Sequence, residues 1–232
     1  MLAYILCGGA GTRLQSVLRG GQKALADVAG VPFLSFVLKE LAKAGVSRAV
    51  LCAHYRADQL LASVPALSSE AGIALELVCE PEPYGTGGAL VYALSKTRPK
   101  TSYIVLNADT YLEAPAYCLA LESTRDTMIV TQVDDRLRFG SVVVDPLEGR
   151  VLALREKGES GPGLISVGVY RFAPDTLMGL AAQACSMETN ILPFLANQGQ
   201  LYAREYRGNF VDIGVPDSYL AFQQMMDRSD KS

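Results

Sequence analysis

The sequence has one histidine and no excess of positive charge. His54 is the only histidine among 232 residues, so a metal site built from several histidines is excluded, and a Ser-His-Asp triad would have to use His54. Its place after the apolar run 49–53 predicts a structural or peripheral role at a strand end. The net charge of −3 gives no overall field that attracts nucleic acid or an anionic membrane. A polyanionic ligand would therefore be held by a few local cations.

Long apolar runs and paired cysteines are also missing. No apolar run reaches the ~18 residues that a membrane-spanning helix needs. We therefore expect no membrane-spanning helix. The first apolar run is short and has no basic segment before it, so we expect no signal peptide. Five widely spaced cysteines disfavour a disulfide framework or a cysteine zinc site, and they favour free thiols in a reducing cytoplasm. These cysteines are Cys7, Cys52, Cys79, Cys118 and Cys185.

The first half of the chain alternates apolar runs with amphipathic segments. The pattern predicts strands at 2–7, 48–53, 73–79 and 103–106, and helices at 32–44, 56–63 and 86–96. Thr86 is expected to open the third helix. Continuous apolar strands separated by helices favour a doubly wound α/β fold around a mostly parallel, mixed sheet. In such sheets the ligand binds beyond the carboxyl ends of the strands.

The second half is less regular and contains several short strands. The pattern predicts strands at 127–133, 139–144, 150–154, 164–172, 201–206 and 210–213, and helices at 174–184, 188–197 and 216–227. The segment D-P-L-E-G at 145–149 is typical of a hairpin turn. With no evident linker, we expect one domain over 1–232, with a nucleotide-binding half at about 1–110 and a hairpin-rich sugar-phosphate half at about 111–232.

A glycine-rich segment, G-G-A-G-T-R-L at 8–14, follows the first strand directly. Its glycines let backbone N–H groups approach an anion, and Arg13 and Lys23 add positive charge. The sequence has no P-loop string, and Leu14 stands where a dinucleotide fingerprint has its third glycine. The second strand also lacks the ribose-binding acid of that fingerprint. A phosphate cradle is therefore favoured over a nicotinamide site, with a plain strand-to-helix turn as the alternative.

Two further segments lie at predicted strand ends in the first half. Y-G-T-G-G-A at 84–89 has the small residues that allow a base and ribose to lie against the backbone, although a tight turn explains it too. Asp109 follows the strand 103–106, where a carboxylate suits Mg²⁺. The alternative for Asp109 is an Asx-turn that caps the strand.

Two charged segments of the second half complete the candidate site. Glu156 and Lys157 follow a strand, and one of them can face sugar hydroxyls and the other a phosphate if the chain turns at Gly158. A solvated strand end is the plain alternative. Asp212 stands between apolar residues and needs a partner, which a metal ion shared with Asp109 would provide. The alternative interpretation of Asp212 is an acid near the N-terminus of the last helix, with no role in metal binding.

Taken together, these segments resemble the sugar-1-phosphate nucleotidyltransferases from Leu6 to about Tyr219, in the same order. The string G-G-x-G-T-R-L is the most specific. Within that family the chain most resembles the D-glycero-α-D-manno-heptose 1-phosphate guanylyltransferases. The segments that carry this resemblance are 84–89, 156–161, 187–193 and 210–214.

The resemblance implies a role for each matched residue. It implies Arg13, Lys23 and Lys157 as catalytic residues, with Lys157 also on the sugar phosphate. It implies two Mg²⁺ ligands, Asp109 and Asp212. The nucleotide site would comprise Leu6, Gly8, Gly9, Gly11, Thr12, Gly85, Thr86 and Asn107, and the sugar-phosphate site Gly140, Glu156, Lys157 and Ser166.

The chain departs from the family pattern at three places, one of them Cys7, which replaces a usual alanine in a buried position. Ala24 stands where the family usually has proline after the lysine, which loosens the φ restriction there. Ser166 and Val167 replace a usual asparagine and a small residue, so the identity of the sugar is left open.

The activity that the resemblance implies is transfer of a nucleotidyl group from a triphosphate, GTP favoured, to a sugar 1-phosphate, heptose favoured. Mannose 1-phosphate with GTP, or glucose 1-phosphate with dTTP or UTP, are alternatives, and a sensor without catalysis is another. The resemblance also implies supply of surface-polysaccharide precursors. We expect no nucleic-acid or membrane partner, and the sequence leaves a homo-oligomer open.

Overall fold

The computed structural model describes residues 1–18 and 20–229 and contains a mixed nine-stranded sheet. Four parallel strands lie in the order β6-β1-β4-β5. They are β1 (Leu2–Leu6), β4 (Arg48–Ala53), β5 (Ala74–Cys79) and β6 (Tyr103–Asn107). Because Leu6 is in register with Cys52 and with Asn107, the carboxyl ends of three strands meet at one edge of the sheet.

The other strands extend this sheet beyond β6. The long strand β11 pairs antiparallel with β6, β8 and β9, and β9 forms the predicted hairpin with β10. β12 pairs parallel with β8. Their bounds are β8 (Thr127–Val133), β9 (Ser141–Val144), β10 (Val151–Arg155), β11 (Gly163–Phe172) and β12 (Tyr202–Glu205).

Two small sheets lie outside the main one. One is β2 (Asp27–Val28) with β3 (Val31–Pro32). The other pairs β7 (Thr110–Leu112), which starts right after Asp109, with β13 (Phe210–Asp212). The second pairing brings the two candidate metal-binding segments side by side.

Helices cover both faces of the sheet, as a doubly wound fold requires. One apolar core contains buried residues of α2 and α5 with Phe222 of α7, and the other contains those of α4 and α6. The helices are α1 (Gln15–Leu18), α2 (Phe33–Lys43), α3 (Ala57–Ala71), α4 (Gly85–Thr97), α5 (Ala114–Leu121), α6 (Leu192–Asn197) and α7 (Pro216–Ser229). A π-helical turn, Met187–Ile191, precedes α6, and 3-10 turns occur at Thr12–Leu14 and Lys23–Leu25. Within the described residues, no helix is both long and apolar enough to cross a bilayer.

Two predicted helices were wrong in extent or in kind. The helix expected at 56–63 continues to Ala71 through Pro65 and ends at Gly72, whose φ of 68° is left-handed. The helix expected at 174–184 does not form; turns occupy 174–179, and the chain at 180–184 is irregular. Asp126 accepts hydrogen bonds from Ala173 N and Thr176 Oγ1, which fixes the chain in turns. Gly179, with φ of 85°, is incompatible with a continuing helix.

Several short elements were not predicted, among them β7 and α5, and one predicted cap is absent. The strand β7 and the helix α5 occupy residues for which the sequence pattern gave no element. Thr86 does not cap α4, because Tyr84 holds the N-cap position without a side-chain hydrogen bond. The Thr86 hydroxyl instead accepts from Met187 N and donates to Glu188 Oε2.

Candidate active site

A cavity of about 420 Å³ lies beyond the carboxyl ends of β1 and β6, against the start of α4. All the residues predicted for the nucleotide line it, together with Arg13, Lys23 and Asp109. The members of the predicted set are Leu6, Gly8, Gly9, Gly11, Thr12, Gly85, Thr86 and Asn107. We call this space the loop cavity, because the glycine-rich loop forms much of its wall.

A second cavity, of about 450 Å³, lies against β11 and the β9–β10 hairpin. Gly140, Glu156, Lys157 and Ser166, all predicted for the sugar phosphate, line it, and so does Asp212. The chain turns at Gly158, where φ is 115°, as the use of both Glu156 and Lys157 requires. We call this space the hairpin cavity.

The two cavities share part of their walls. Arg13, Asn107, Asp109 and Glu188 line both. Two ligands bound in these cavities would therefore meet at a boundary that contains a guanidinium and two carboxylates.

Lys23 and the two aspartates form a charged cluster at this boundary. Lys23 Nζ donates to Asp109 Oδ2 at 2.5 Å, and the lysine side chain is only 12% exposed. Because β13 pairs with β7, Asp212 lies opposite Thr110, and Ile213 N donates to the Asp109 carbonyl at 3.0 Å. Residues distant in sequence are thus held together by a short sheet.

The electrostatics of Asp212 reflect this proximity. Burial raises its pKa, and the nearby Asp109 carboxylate raises it further, while the Gly214 N–H, Lys23 and Arg138 oppose the rise. Two neighbouring carboxylates offer the hard oxygen ligands that suit Mg²⁺, and a cation between them would relieve their repulsion. Among residues 1–18 and 20–229, no group of three or more histidine, cysteine, aspartate or glutamate side chains is placed to hold a metal ion.

The glycine turn at the start of α4 is packed closely under the segment 183–187. Cys185 O accepts from Gly87 N and Gly88 N at 3.0 and 3.2 Å. A Cβ on Gly88 would lie 2.2 Å from Gln183 O, so no larger residue fits there. The second half of the chain therefore supports the wall of the loop cavity directly.

The comparisons with known proteins agree with this arrangement. The model of the family described as Nucleotidyl transferase matches residues 2–229. The chain belongs to the nucleotidyl transferase family.

Two curated relatives of this nucleotidyl transferase differ in length. It is 33% identical over 225 residues to the D-glycero-alpha-D-manno-heptose 1-phosphate guanylyltransferase of Campylobacter jejuni, covering 96% of this chain and 98% of that protein. It is 32% identical over 226 residues to mannose-1-phosphate guanyltransferase beta-A of Xenopus laevis, covering 95% of this chain. The match spans only 63% of the length of the Xenopus protein.

A solved structure has the same architecture. HddC from Yersinia pseudotuberculosis superimposes with a TM-score of 0.85 at 30% identity, over 97% of this chain and 99% of that chain. HddC in complex with GMP-PN gives a TM-score of 0.84. The mixed sheet with helices on both faces is therefore the fold that this nucleotidyl transferase shares with HddC.

The sequence interpretation missed Glu188 as a site residue. Its carboxylate accepts from Thr86 Oγ1 at 2.9 Å and from Ser186 Oγ at 2.8 Å, and it lies where the two cavities meet. The string at 187–193 contributed to the family resemblance without giving Glu188 a role. Its proximity to Thr86 arises from tertiary packing of the π-helical turn on α4.

Glu80 was missed as well. It is 5% exposed, lines the loop cavity, and its Oε2 atom has no hydrogen-bond partner among the described residues. Burial raises the pKa of Glu80, and the Tyr84 N–H and the nearby His54 oppose the rise. His54 Nδ1 lies 3.3 Å from Glu80 O, which places the single histidine beside this residue at the end of β4, as predicted.

Gly168 was not singled out from sequence, although it determines the position of Asn107. It has a φ of 74° inside β11, where the pairing with β8 shifts register. A Cβ on Gly168 would lie 2.5 Å from Asn107 Nδ2. Asn107 can keep its place in the wall of both cavities only because this position lacks a side chain.

We therefore expect Gly168→Ala to lower kcat/KM about tenfold, since displacing Asn107 disturbs the cavity boundary. The left-handed backbone should add about 1–2 kcal/mol of destabilisation. Gly179→Ala is the matched control, because Gly179 also has a positive φ, of 85°, but nothing lies within 4 Å of its Cβ position. Steady-state kinetics and thermal unfolding of both variants check this. Equal activity loss in the two variants would contradict the role given to Gly168.

Proposed function

We propose that this nucleotidyl transferase transfers a guanylyl group from GTP to a sugar 1-phosphate, D-glycero-α-D-manno-heptose 1-phosphate being favoured, and releases pyrophosphate. One observation carries the proposal: two cavities of similar size share Arg13, Asn107, Asp109 and Glu188. The loop cavity would take the nucleotide and the hairpin cavity the sugar phosphate.

The reaction needs no general base. An oxygen of the sugar phosphate attacks the α-phosphorus in line with the departing pyrophosphate, and this phosphate is already ionised at neutral pH. The attacking oxygen forms the new P–O bond as the bond to the β-phosphate oxygen breaks. The reaction therefore does not require a histidine as general base, and His54, the single histidine, lies beside Glu80.

The main obstacle is repulsion between two anions. Each pair of unit charges 4 Å apart repels by roughly 1 kcal/mol in water and about 4 kcal/mol at an effective dielectric constant of 20. Arg13 at the shared boundary would hold the β- and γ-phosphates, and Lys23 would stabilise the charge that develops on the reacting phosphate. Lys23 is kept in the cavity wall by its ion pair with Asp109.

Asp109 and Asp212 would hold Mg²⁺. When bound, the ion supplies positive charge to the phosphate oxygens. The fit rests on the closeness of the two segments: Asp212 lies opposite Thr110 in the short sheet, Ile213 N donates to the Asp109 carbonyl, and the Asp109 carboxylate helps to raise the pKa of Asp212.

The sugar phosphate would be held by the hairpin cavity. Lys157 would bind the phosphate of the sugar 1-phosphate, and Glu156 would bind the sugar hydroxyl groups. Gly140 and Ser166 would lie beside the sugar ring. Ser166 Oγ lies 3.2 Å from Tyr170 OH, so these hydroxyls form a polar pair on this wall.

Glu80 supports guanine as the base. Guanine presents its N1–H and N2–H₂ donors side by side, and a carboxylate accepts from both. Uracil and thymine present one N–H between two carbonyl oxygens, which a carboxylate repels. Glu80 lines the loop cavity, and its Oε2 atom is buried without a hydrogen-bond partner among the described residues. A guanine would complete the hydrogen bonding of this carboxylate once the side chain turns toward the cavity.

Glu80→Gln is expected to reduce the preference for GTP over UTP by about 10- to 100-fold in kcat/KM, the scale of one bidentate base contact. Protonation of Glu80 replaces an acceptor by a donor, so the KM for GTP should rise as the pH falls through its raised pKa. The variant should lose this dependence. The exposed neighbour gives the control, Glu82→Gln, which should behave as wild type. An unchanged base preference would remove Glu80 from base recognition.

The function is tested by incubating the protein with GTP, Mg²⁺ and a panel of sugar 1-phosphates and identifying the product by mass. We expect GDP-heptose as the best product, because the heptose relative matches this chain over 98% of its own length. GDP-mannose, or products from dTTP or UTP, would support the alternatives. Binding of GTP without pyrophosphate release would indicate a sensor.

The biological setting is also part of the proposal. All five cysteines are free, as expected in the reducing cytoplasm, where nucleoside triphosphates are available. The product would serve as an activated sugar donor for a surface polysaccharide.

A further inference from the structure

Gln22 has an unusual environment for an uncharged polar side chain next to a catalytic candidate. It is 2% exposed, and both ends of its amide are used. Nε2 donates to the carbonyl of Cys7 at 2.6 Å, and Oε1 accepts from Ala24 N at 2.6 Å. Its backbone N–H donates to Gln59 Oε1 at 3.0 Å.

These bonds connect the short turn that carries Lys23 to fixed parts of the fold. Cys7 directly follows β1, and its own N–H donates to Cys52 O at 2.8 Å, so the acceptor of the Gln22 amide is part of the sheet edge. Gln59 belongs to α3. Lys23–Leu25 is a single 3-10 turn, and the Gln22 side chain caps its N-terminal end.

Ala24 makes this connection necessary. It is 2% exposed and its N–H lies inside the protein, where a missing partner would be costly. Alanine leaves φ unrestricted at this position, so the hydrogen bond to Gln22 Oε1 takes over the task of fixing the turn. The direction of the Lys23 side chain toward Asp109 depends on that turn.

We propose that Gln22 is a positioning residue that holds Lys23 at the boundary of the two cavities. The role of Lys23 in turnover rests on the function proposed above, but the positioning itself does not. Gln22 also lines the loop cavity, but both ends of its amide are bonded to the backbone, so we expect it to act through Lys23 and its amide to matter only while Lys23 is present.

The kinetic test uses Gln22→Met, which keeps the length of the side chain and removes both hydrogen bonds. We expect kcat to fall about 10- to 100-fold, the scale of a small misplacement of a reacting group, with KM values within about threefold of wild type. In the Lys23→Ala background the same change should have no further effect, because the two residues act as a unit. Equal fold losses in both backgrounds would overturn the proposal.

Two further variants sharpen this cycle. Gln15→Met is the matched control, because Gln15 also uses both ends of its amide, to Ala10 O and Gly20 N, without touching the Lys23 turn. The fold loss in kcat caused by Gln15→Met should be the same with and without Lys23→Ala, so that the two losses multiply in the double variant. If Gln22→Met fails to fold, Gln59→Met removes the acceptor of the Gln22 backbone N–H and should show the same non-additivity at a smaller size.

A second readout is independent of activity. Lys23 is shielded and paired with Asp109, whereas Lys157 is exposed. Acetic anhydride labelling followed by peptide mass analysis should show Lys23 reacting at least about threefold faster in Gln22→Met, with Lys157 as an unchanged internal reference. Unchanged Lys23 labelling would refute the positioning role. If wild type makes no nucleotide sugar while the labelling changes as expected, the proposed function fails and the positioning stands.

Discussion

Asp109→Asn is expected to lower Mg²⁺-dependent turnover by about 10³-fold or more, because in the proposed function this carboxylate would hold the metal ion and it also pairs with Lys23. The substitution keeps the size of the side chain. Asp109 is 34% exposed, so losing its ion pair should change the melting temperature only slightly. Pyrophosphate release over a Mg²⁺ titration, together with thermal unfolding, gives the measurement.

The control for this variant is Asp175→Asn, which removes an exposed carboxylate that lines neither cavity and should leave the rate unchanged. Asp212→Asn should resemble Asp109→Asn, since both carboxylates would hold the same ion. A wild-type rate in Asp109→Asn would remove this residue from the metal site.

Lys157→Ala should reduce kcat/KM for the sugar 1-phosphate by roughly 10²–10³-fold, the loss seen when one charge-stabilising group is removed. Lys157 lines the hairpin cavity and is absent from the lining of the loop cavity, so GTP affinity should hardly change. Its exposure makes an effect on folding small. Kinetics with varied sugar phosphate and direct titration of GTP separate the two effects.

Lys100→Ala removes another exposed lysine outside both cavities and controls for net charge. If Lys157→Ala weakened GTP binding while sparing sugar-phosphate use, Lys157 would belong to the nucleotide and not to the sugar phosphate.

The sequence predicted the parallel half of the sheet well. The strand Arg48–Ala53 has the predicted bounds, and β1 and β5 each lie within one residue of theirs. The strands β1 and β4 are recognised easily because burial on both faces requires a continuous apolar run, whereas β5 lies at the edge of the sheet and is only partly buried. The same runs placed the glycine loop and Asp109 at one edge, where the structure brings them together.

The errors arose where a distant residue decides the local structure. The segment 174–184 has a helical pattern, but Asp126 takes up its first donors and turns form instead. Thr86 has the preferred identity of an N-cap, yet its hydroxyl bonds to Met187 and Glu188. Side-chain partners of this kind depend on long-range packing, which local propensity does not contain.

The sequence by itself determined which chemical groups follow the strands: glycines, an arginine, two lysines and two aspartates, in an order typical of one family. Only the tertiary structure decided which of them meet. The pairing of β7 with β13 brings the segments of Asp109 and Asp212 together, and Gln22 links the Lys23 turn to the end of β1. Burial leaves one oxygen of Glu80 without a partner within the part of the chain that the structure describes. The physical reason is that hydrogen bonding and desolvation depend on neighbours that are remote in the chain and become adjacent only on folding.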